Sequence, residues 1–237
     1  MKSEGNDMRF FSLILVLAAA SCVAVGCSRP KTAVVTAIGT DGDQDVPSLT
    51  LPNVSLKAGD TLLVSCNDEG GSVKVTWNGM PLHLDVGPGK GSAGFYTTIF
   101  SLYSAAGGTG SITVSHASGD DLSFNAYSVA NLAASGLDKT SAAEGSGTSP
   151  SSGATAMTAK GNEFLWAAIG YSNNDSASGA WSDGFTACPQ FTGTGGGIGG
   201  VEDAYKTVSS TGAYAAAKTG VKNDSWNALL ATYAIAP

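Results

Sequence analysis

Basic side chains are scarce in this chain: 12 Lys and Arg stand against 19 Asp and Glu, for a formal net charge of −7. They form no run, and phosphate backbones demand clustered positive charge, so nucleic acid is excluded as a partner. Histidine is scarcer still, with only His83 and His116. Nucleophilic catalysis usually takes its base from that residue, and no G-x-S-x-G elbow occurs. Long amphipathic stretches of helical period are missing, and no apolar run makes a comfortable membrane span. What is abundant is Gly (32 residues), with Ser, Thr and Ala; 43% of the residues are hydrophobic and 13% charged. Aromatic and β-branched residues are frequent enough for a core, so this is not a disordered composition. Turn signals recur about every dozen residues, which points to an all-β fold.

The stretch Ala58–Cys66, AGDTLLVSC, sets the pattern. Gly59-Asp60 is turn chemistry, and Leu62, Leu63 and Val64 then run without a polar break, as in a strand covered on both faces. A weaker copy, KGNEFLWAA at Lys160–Ala168, lies 102 residues later. Similar features follow both copies in the same order. Trp181 with Asp183-Gly184 answers Trp77 with Asn78-Gly79, Tyr205 answers Tyr103, and Leu229–Ile235 answers the stretch around Tyr127. Shared order at a near-constant offset implies a structural duplication.

The first 26 residues read as a signal peptide and are set aside from the fold. Phe10–Ala20 is the apolar h-region, and a start at Met8 would give it Arg9 as its n-region charge. The end of the segment, Ala24-Val25-Gly26-Cys27, resembles the lipobox of bacterial lipoproteins, although Leu is usual at the place of Ala24. That resemblance implies cleavage before Cys27 and a diacylglycerol on its thiol. Cys22 is a second candidate, and an ordinary secretory signal cut near Gly26 is the alternative. Ser28 after the cysteine resembles the outer-membrane sorting pattern of hosts that have one. Residues 27–32 then form the anchor and a tether of about 17 Å at most.

Along the mature chain, strand signals fall near Ala33–Ile38, Ser48–Leu51, Ala58–Cys66, Ser72–Trp77, Leu82–Val86, Phe95–Tyr103, Ser111–His116 and Leu122–Leu132. Gly39–Pro47 and Gly87–Gly94 read as loops, Asn78-Gly79 as a hairpin turn, and Leu82, Leu84 and Val86 as one face. Gly136–Gly161, rich in Ser, Gly, Ala and Thr, reads as a crossover between halves at about 33–133 and 159–237. Each half is either its own small sandwich or a supplier of strands to one larger body. Five strands leave open edges and a thin core, so the expectation for 33–237 is a single jelly-roll-like β-sandwich of about ten strands built from two similar halves.

The succession GDTLLV, VTWNGMPL, LYSAAGGTGSITVSHAS, AYSVANL, GNEFLWAAIGY and AYKTVSSTGAYAAA, ending in WNALLATYAIA, resembles β-sandwich modules of bacterial secreted and cell-surface proteins. These are similar in shape to carbohydrate-binding and laminin-G-like jelly rolls. The resemblance implies a fold and a setting, and carries over no functional residue.

Few residues stand out as carriers of chemistry. His83 and Asp85 lie two apart on a polar strand face, and His116 shares parity with Ile112 and Val114 at a core edge. GPGKGS at Gly87–Ser92 lacks the spacing of a phosphate loop, and the G-x-G-x-x-G of Gly195, Gly197 and Gly200 leads into a strand rather than a helix. Asp41, Asp43 and Asp45 alternate in one loop but lack the rest of an EF-hand, so a solvated acidic loop is preferred to a calcium site. Cys66 and Cys188 are the disulfide candidates of an oxidising compartment. Of four tryptophans, Trp166 and Trp226 read as core, while Trp181 is the candidate ligand contact. Loops 67–72 and 172–180 would share one rim. The expectation is an exported, envelope-anchored binding or structural module with no cofactor and no catalytic site. Its partners are a membrane through lipid and a glycan or protein ligand. The alternative is a carbohydrate-active hydrolase using two carboxylates; self-association through sheet edges is a third reading.

Overall fold

The computed structural model describes residues 31–90, 94–117, 120–172, 178–189 and 199–237. No helix occurs among them, and they form sixteen strands. The first nine are β1 (Val34–Asp43), β2 (Ser48–Leu56), β3 (Thr61–Asp68), β4 (Lys74–Trp77), β5 (Met80–Pro81), β6 (His83–Lys90), β7 (Tyr96–Leu102), β8 (Gly108–Ser115) and β9 (Leu122–Ala130). The rest are β10 (Leu132–Gly147), β11 (Glu163–Tyr171), β12 (Ala180–Trp181), β13 (Thr186–Ala187), β14 (Val201–Val208), β15 (Lys218–Thr219) and β16 (Asp224–Ile235).

Two five-stranded antiparallel sheets form the body. The central sheet has the order β1-β9-β3-β7-β6, and the flanking sheet has the order β10-β16-β11-β14-β13. Counted by their own chain order, both read first, fifth, second, fourth, third. A four-stranded cover sheet, β2-β8-β4-β5, lies over the central sheet, and the pair β12-β15 lies outside the flanking sheet. The expected all-β class holds, in several antiparallel sheets, and the edge strand β10 of the flanking sheet comes mostly from the expected crossover rather than from either half. The described strands number sixteen, however, and the additional ones supply outer layers that the single ten-stranded sandwich did not include.

Strand β3 shows why the layers stack this way. All eight of its residues are buried, so it has no solvent face. Leu62, Val64 and Cys66 point into a core shared with the cover sheet, beside Trp77, Phe100, Ile112 and Phe124. Leu63 points the other way, into a core with Ile99, Tyr127, Phe164, Trp166, Leu229 and Tyr233. Burying such side chains contributes about 1.5–3 kcal/mol each. Strand β11 is likewise buried throughout, with Leu165 and Ala167 packed outward against Phe185, Val208 and Ala216.

Several boundaries differ from the sequence reading. Strand β1 continues through the expected loop to Asp43, passing a bulge between Ala37 and Gly39. Strand β6 runs on to Lys90 across bulges after Leu84 and Val86. Those bulges break the expected common face: Val86 is buried while Leu84 is 41% exposed. The largest difference is the expected crossover, whose first part is the sixteen-residue strand β10. Its small residues from Thr140 to Gly147 pair in register with β16. Residues 148–158 then run over the flanking sheet, burying Ser152, Thr155 and Thr158.

The first described residues, the C-terminal strand and the junction between the halves meet at one corner. Val34 pairs with Ala130, and Leu132 pairs with Ile235. Between them stands Asn131, in the left-handed region at φ 69°. Its side-chain Nδ2 donates to the Thr32 carbonyl at 2.8 Å, and its own carbonyl accepts from the Ala236 amide at 2.8 Å.

Candidate functional site

A groove of about 280 Å³ opens between the free edges of β1 and β2, where the central sheet and its cover part. Both edges are irregular there. Strand β1 has its Ala37/Gly39 bulge and β2 has one between Leu51 and Val54, with Pro52 lacking an N–H and Asn53 at φ 58°. The strands close tightly beside the groove, because a Cβ on Gly39 would meet Leu51 Cδ2 at 2.8 Å. Ile38, Leu51 and Val54 supply apolar lining; Lys57, Asp60 and Ser128 supply polar groups. The turn from β2 to β3 sets Lys57 and Asp60, since the Asp60 amide donates to the Lys57 carbonyl and Gly59 takes φ 89°. Ser128 Oγ donates to Asp60 Oδ2 at 2.7 Å.

The end of the body away from Asn131 gathers loops from both halves. Asn67 Nδ2 donates to the Tyr171 carbonyl at 3.0 Å, so the end of β3 meets the end of β11; residues 173–177 of the expected rim loop lie outside the described residues. Acidic residues crowd this end. Burial, then the charges of Asp121, Asp120 and Asp45, push the Glu69 carboxyl up. Asp68 lies 3.9 Å from the His116 ring, and desolvation raises its carboxyl to about 6 against opposing hydrogen bonds and the imidazole. His116 is buried at a core edge, as its parity implied, and its Nε2 donates to the Val46 carbonyl at 2.7 Å.

Between the two five-stranded sheets lies a polar network that the sequence reading missed. Asp203 of β14 is fully buried and accepts from Asn125 Nδ2 at 2.8 Å. Desolvation pushes its carboxyl to about 7, although hydrogen bonds from Ser65, Asn125 and Tyr127 pull it down. Trp166 Nε1 donates to Ser65 Oγ at 3.1 Å. Near the Asn131 end, Asp85 bridges the sheets: Oδ2 accepts from Tyr233 at 2.6 Å, and Oδ1 accepts from Ser101 at 2.9 Å. His83 Nδ1 stands 2.8 Å from the same carboxylate, with its side chain 65% exposed and that of Asp85 at 0%. The expected pair thus exists, but its acid faces the interior. An alternating pattern with two bulges hid that.

The other candidates take up ordinary places. Trp181 is half-buried, its ring 6.1 Å from Phe185, and it packs on the outer core of the flanking sheet. Trp166 is buried, whereas Trp226 is half-buried against a small cluster. Cys66 and Cys188 are both free and buried, on opposite sides of the central sheet, so the candidate disulfide is not formed. Asp41 Oδ1 and Asp43 Oδ1 each accept from the next backbone amide at 2.9 Å. Among the described residues, no three His, Cys, Asp or Glu side chains are grouped to hold a metal. Cys27, Gly195 and Gly197 lie outside the described residues, as does part of GPGKGS. Lys57 and Asp60 were also missed, because Gly59-Asp60 carries a turn signal that conceals any further role. No protein-family model matches the chain, and no characterised protein matches it either.

Proposed function

We propose that this is an exported protein, moored to a cell envelope through an acylated Cys27, that works as a surface binding or structural module rather than an enzyme. The observation that carries this reading is the corner at Asn131, where both ends of the body and the junction of its halves converge. A tether of about 17 Å from Cys27 would hold that corner near a bilayer. The rim with the loops of both halves would then face away from it, free to meet a glycan or protein.

Each half is read as a jelly roll. In the first, β1-β9-β3-β7 and β2-β8-β4-β5 follow the order of two Greek keys folded over one another. In the second, residues 148–158, β15 and β12 stand in for a trimmed cover sheet. Binding is favoured over hydrolysis because the β1–β2 groove carries one carboxylate, Asp60, where glycoside hydrolysis commonly uses two.

The test is expression in a bacterium that processes lipoproteins. The wild-type chain is expected in the membrane fraction with diacylglycerol on its N-terminal peptide, and Cys27→Ser in the soluble fraction. An unmodified mature N-terminus on the wild type would remove the anchor from this reading.

A further inference from the structure

The β1–β2 groove contains an oppositely charged pair of side chains that the fold does not use against each other. Asp60 has its Oδ2 held by Ser128 at 2.7 Å, and among the described residues neither Asp60 nor Lys57 forms an ion pair. Both nevertheless line the same cavity of about 280 Å³. A site of that size lies just below the range for drug-sized ligand pockets, roughly 300–1,000 Å³, and so suits a single small ring.

The edges rule out one class of occupant. An added β-strand needs a straight row of backbone donors and acceptors. Here both edges are bulged at the groove mouth, and Pro52 offers no N–H. Bulges and proline are the devices that keep edges from pairing. Recognition in this groove therefore falls to side chains.

Those side chains suit a polyhydroxylated ring. Vicinal hydroxyls each donate and accept: one can donate to Asp60 Oδ1 while its neighbour accepts from the Lys57 ammonium. Hydrogen bonds to charged groups are the stronger kind. The half-buried Ile38 and Leu51 offer an apolar surface for the C–H face of the same ring, and the two charges cancel, which favours an uncharged ligand. We propose that the groove between β1 and β2 binds one hexopyranose unit of a neutral glycan, held by Asp60 and Lys57. This deepens the binding-module reading and rests on it.

The experiment is saturation-transfer NMR on the purified full chain with glucose, galactose, mannose, N-acetylglucosamine and their β-linked disaccharides, followed by titration of any binder. At least one sugar is expected to bind, and Asp60→Asn and Lys57→Met are each expected to weaken it tenfold or more at unchanged melting temperature. If either variant melts early, chemical-shift perturbation of the wild-type amides at 36–38 and 51–60 decides instead. A sugar that binds equally well to both folded variants removes this groove but keeps the binding-module reading. Displacement of the sugar by glycine, a zwitterion that also matches an acid and an amine, overturns the glycan assignment. No binding by any sugar also overturns it, and leaves the module reading to be judged by protein partners alone.

Discussion

Gly170 shows how closely the two five-stranded sheets approach. A Cβ there would lie 2.0 Å from Thr97 Oγ1 and 2.4 Å from Asn67 Oδ1, two atoms that hydrogen-bond each other at 3.0 Å inside the body. Gly170→Ala must therefore overpack the interface and break a buried hydrogen bond. A loss of about 3 kcal/mol is expected in urea unfolding; a loss under 0.5 kcal/mol would mean the sheets can part at no cost. Sequence reading gave this glycine no role, since it falls just past the apolar stretch Lys160–Ala168 and nothing local marks the second sheet pressing on it. The same limit applies to Asp60 and Lys57. Turn chemistry was legible, but the groove depends on β1 and Ser128 of β9, remote in sequence and near only after folding.

Among the elements, the apolar strands were the legible ones. Ala58–Cys66 became β3 and Lys160–Ala168 became β11, because unbroken apolar runs admit few other placements. Strand β10 was not legible. Its Ser, Ala and Gly residues carry little intrinsic strand preference, and the strongly apolar β16 beside it supplies the pairing. Hydrogen exchange separates strand from linker: alternate amides of 140–147 are expected to be protected, as in a paired edge strand. Uniform exchange at the unprotected rate would contradict the pairing of Thr140 with Ala231 and of Gly147 with Asp224. The repeat was also only partly legible. Tyr127 and Leu229, 102 apart, both face the core between the five-stranded sheets, but Leu62 and Phe164, equally spaced, face different cores. One slipped residue turns every side chain over, so strand order is shared where residue register is not.

For the whole molecule, buried acids set the response to pH. Asp68 is raised to about 6, and Glu163 and Asp203 to about 7, each chiefly by desolvation. An acid whose carboxyl is raised on folding binds its proton more tightly in the folded state. The associated stability is fully present below the unfolded value near pH 4 and is lost as pH rises through 6 to 7. Asp138, lowered mainly by its hydrogen bond from Lys139, acts in the opposite sense at lower pH. At about 1.4 kcal/mol per pH unit, the raised acids are worth a few kcal/mol, so the melting temperature is expected to fall by several degrees between pH 5 and pH 8. Asp203→Asn should flatten that slope. A melting temperature that climbs over this range would contradict the burial of these acids.

The placement of the two thiols makes the molecule its own recorder of disassembly. Cys66 is shielded by the cover sheet and Cys188, at the edge of the flanking sheet, by the central sheet, and burial holds both thiols in the unreactive protonated form. Under mild denaturant, an alkylating reagent would tag Cys66 first if the cover lifts away, and Cys188 first if the halves separate. The order of tagging, read by mass spectrometry, would tell which seam gives way before the other.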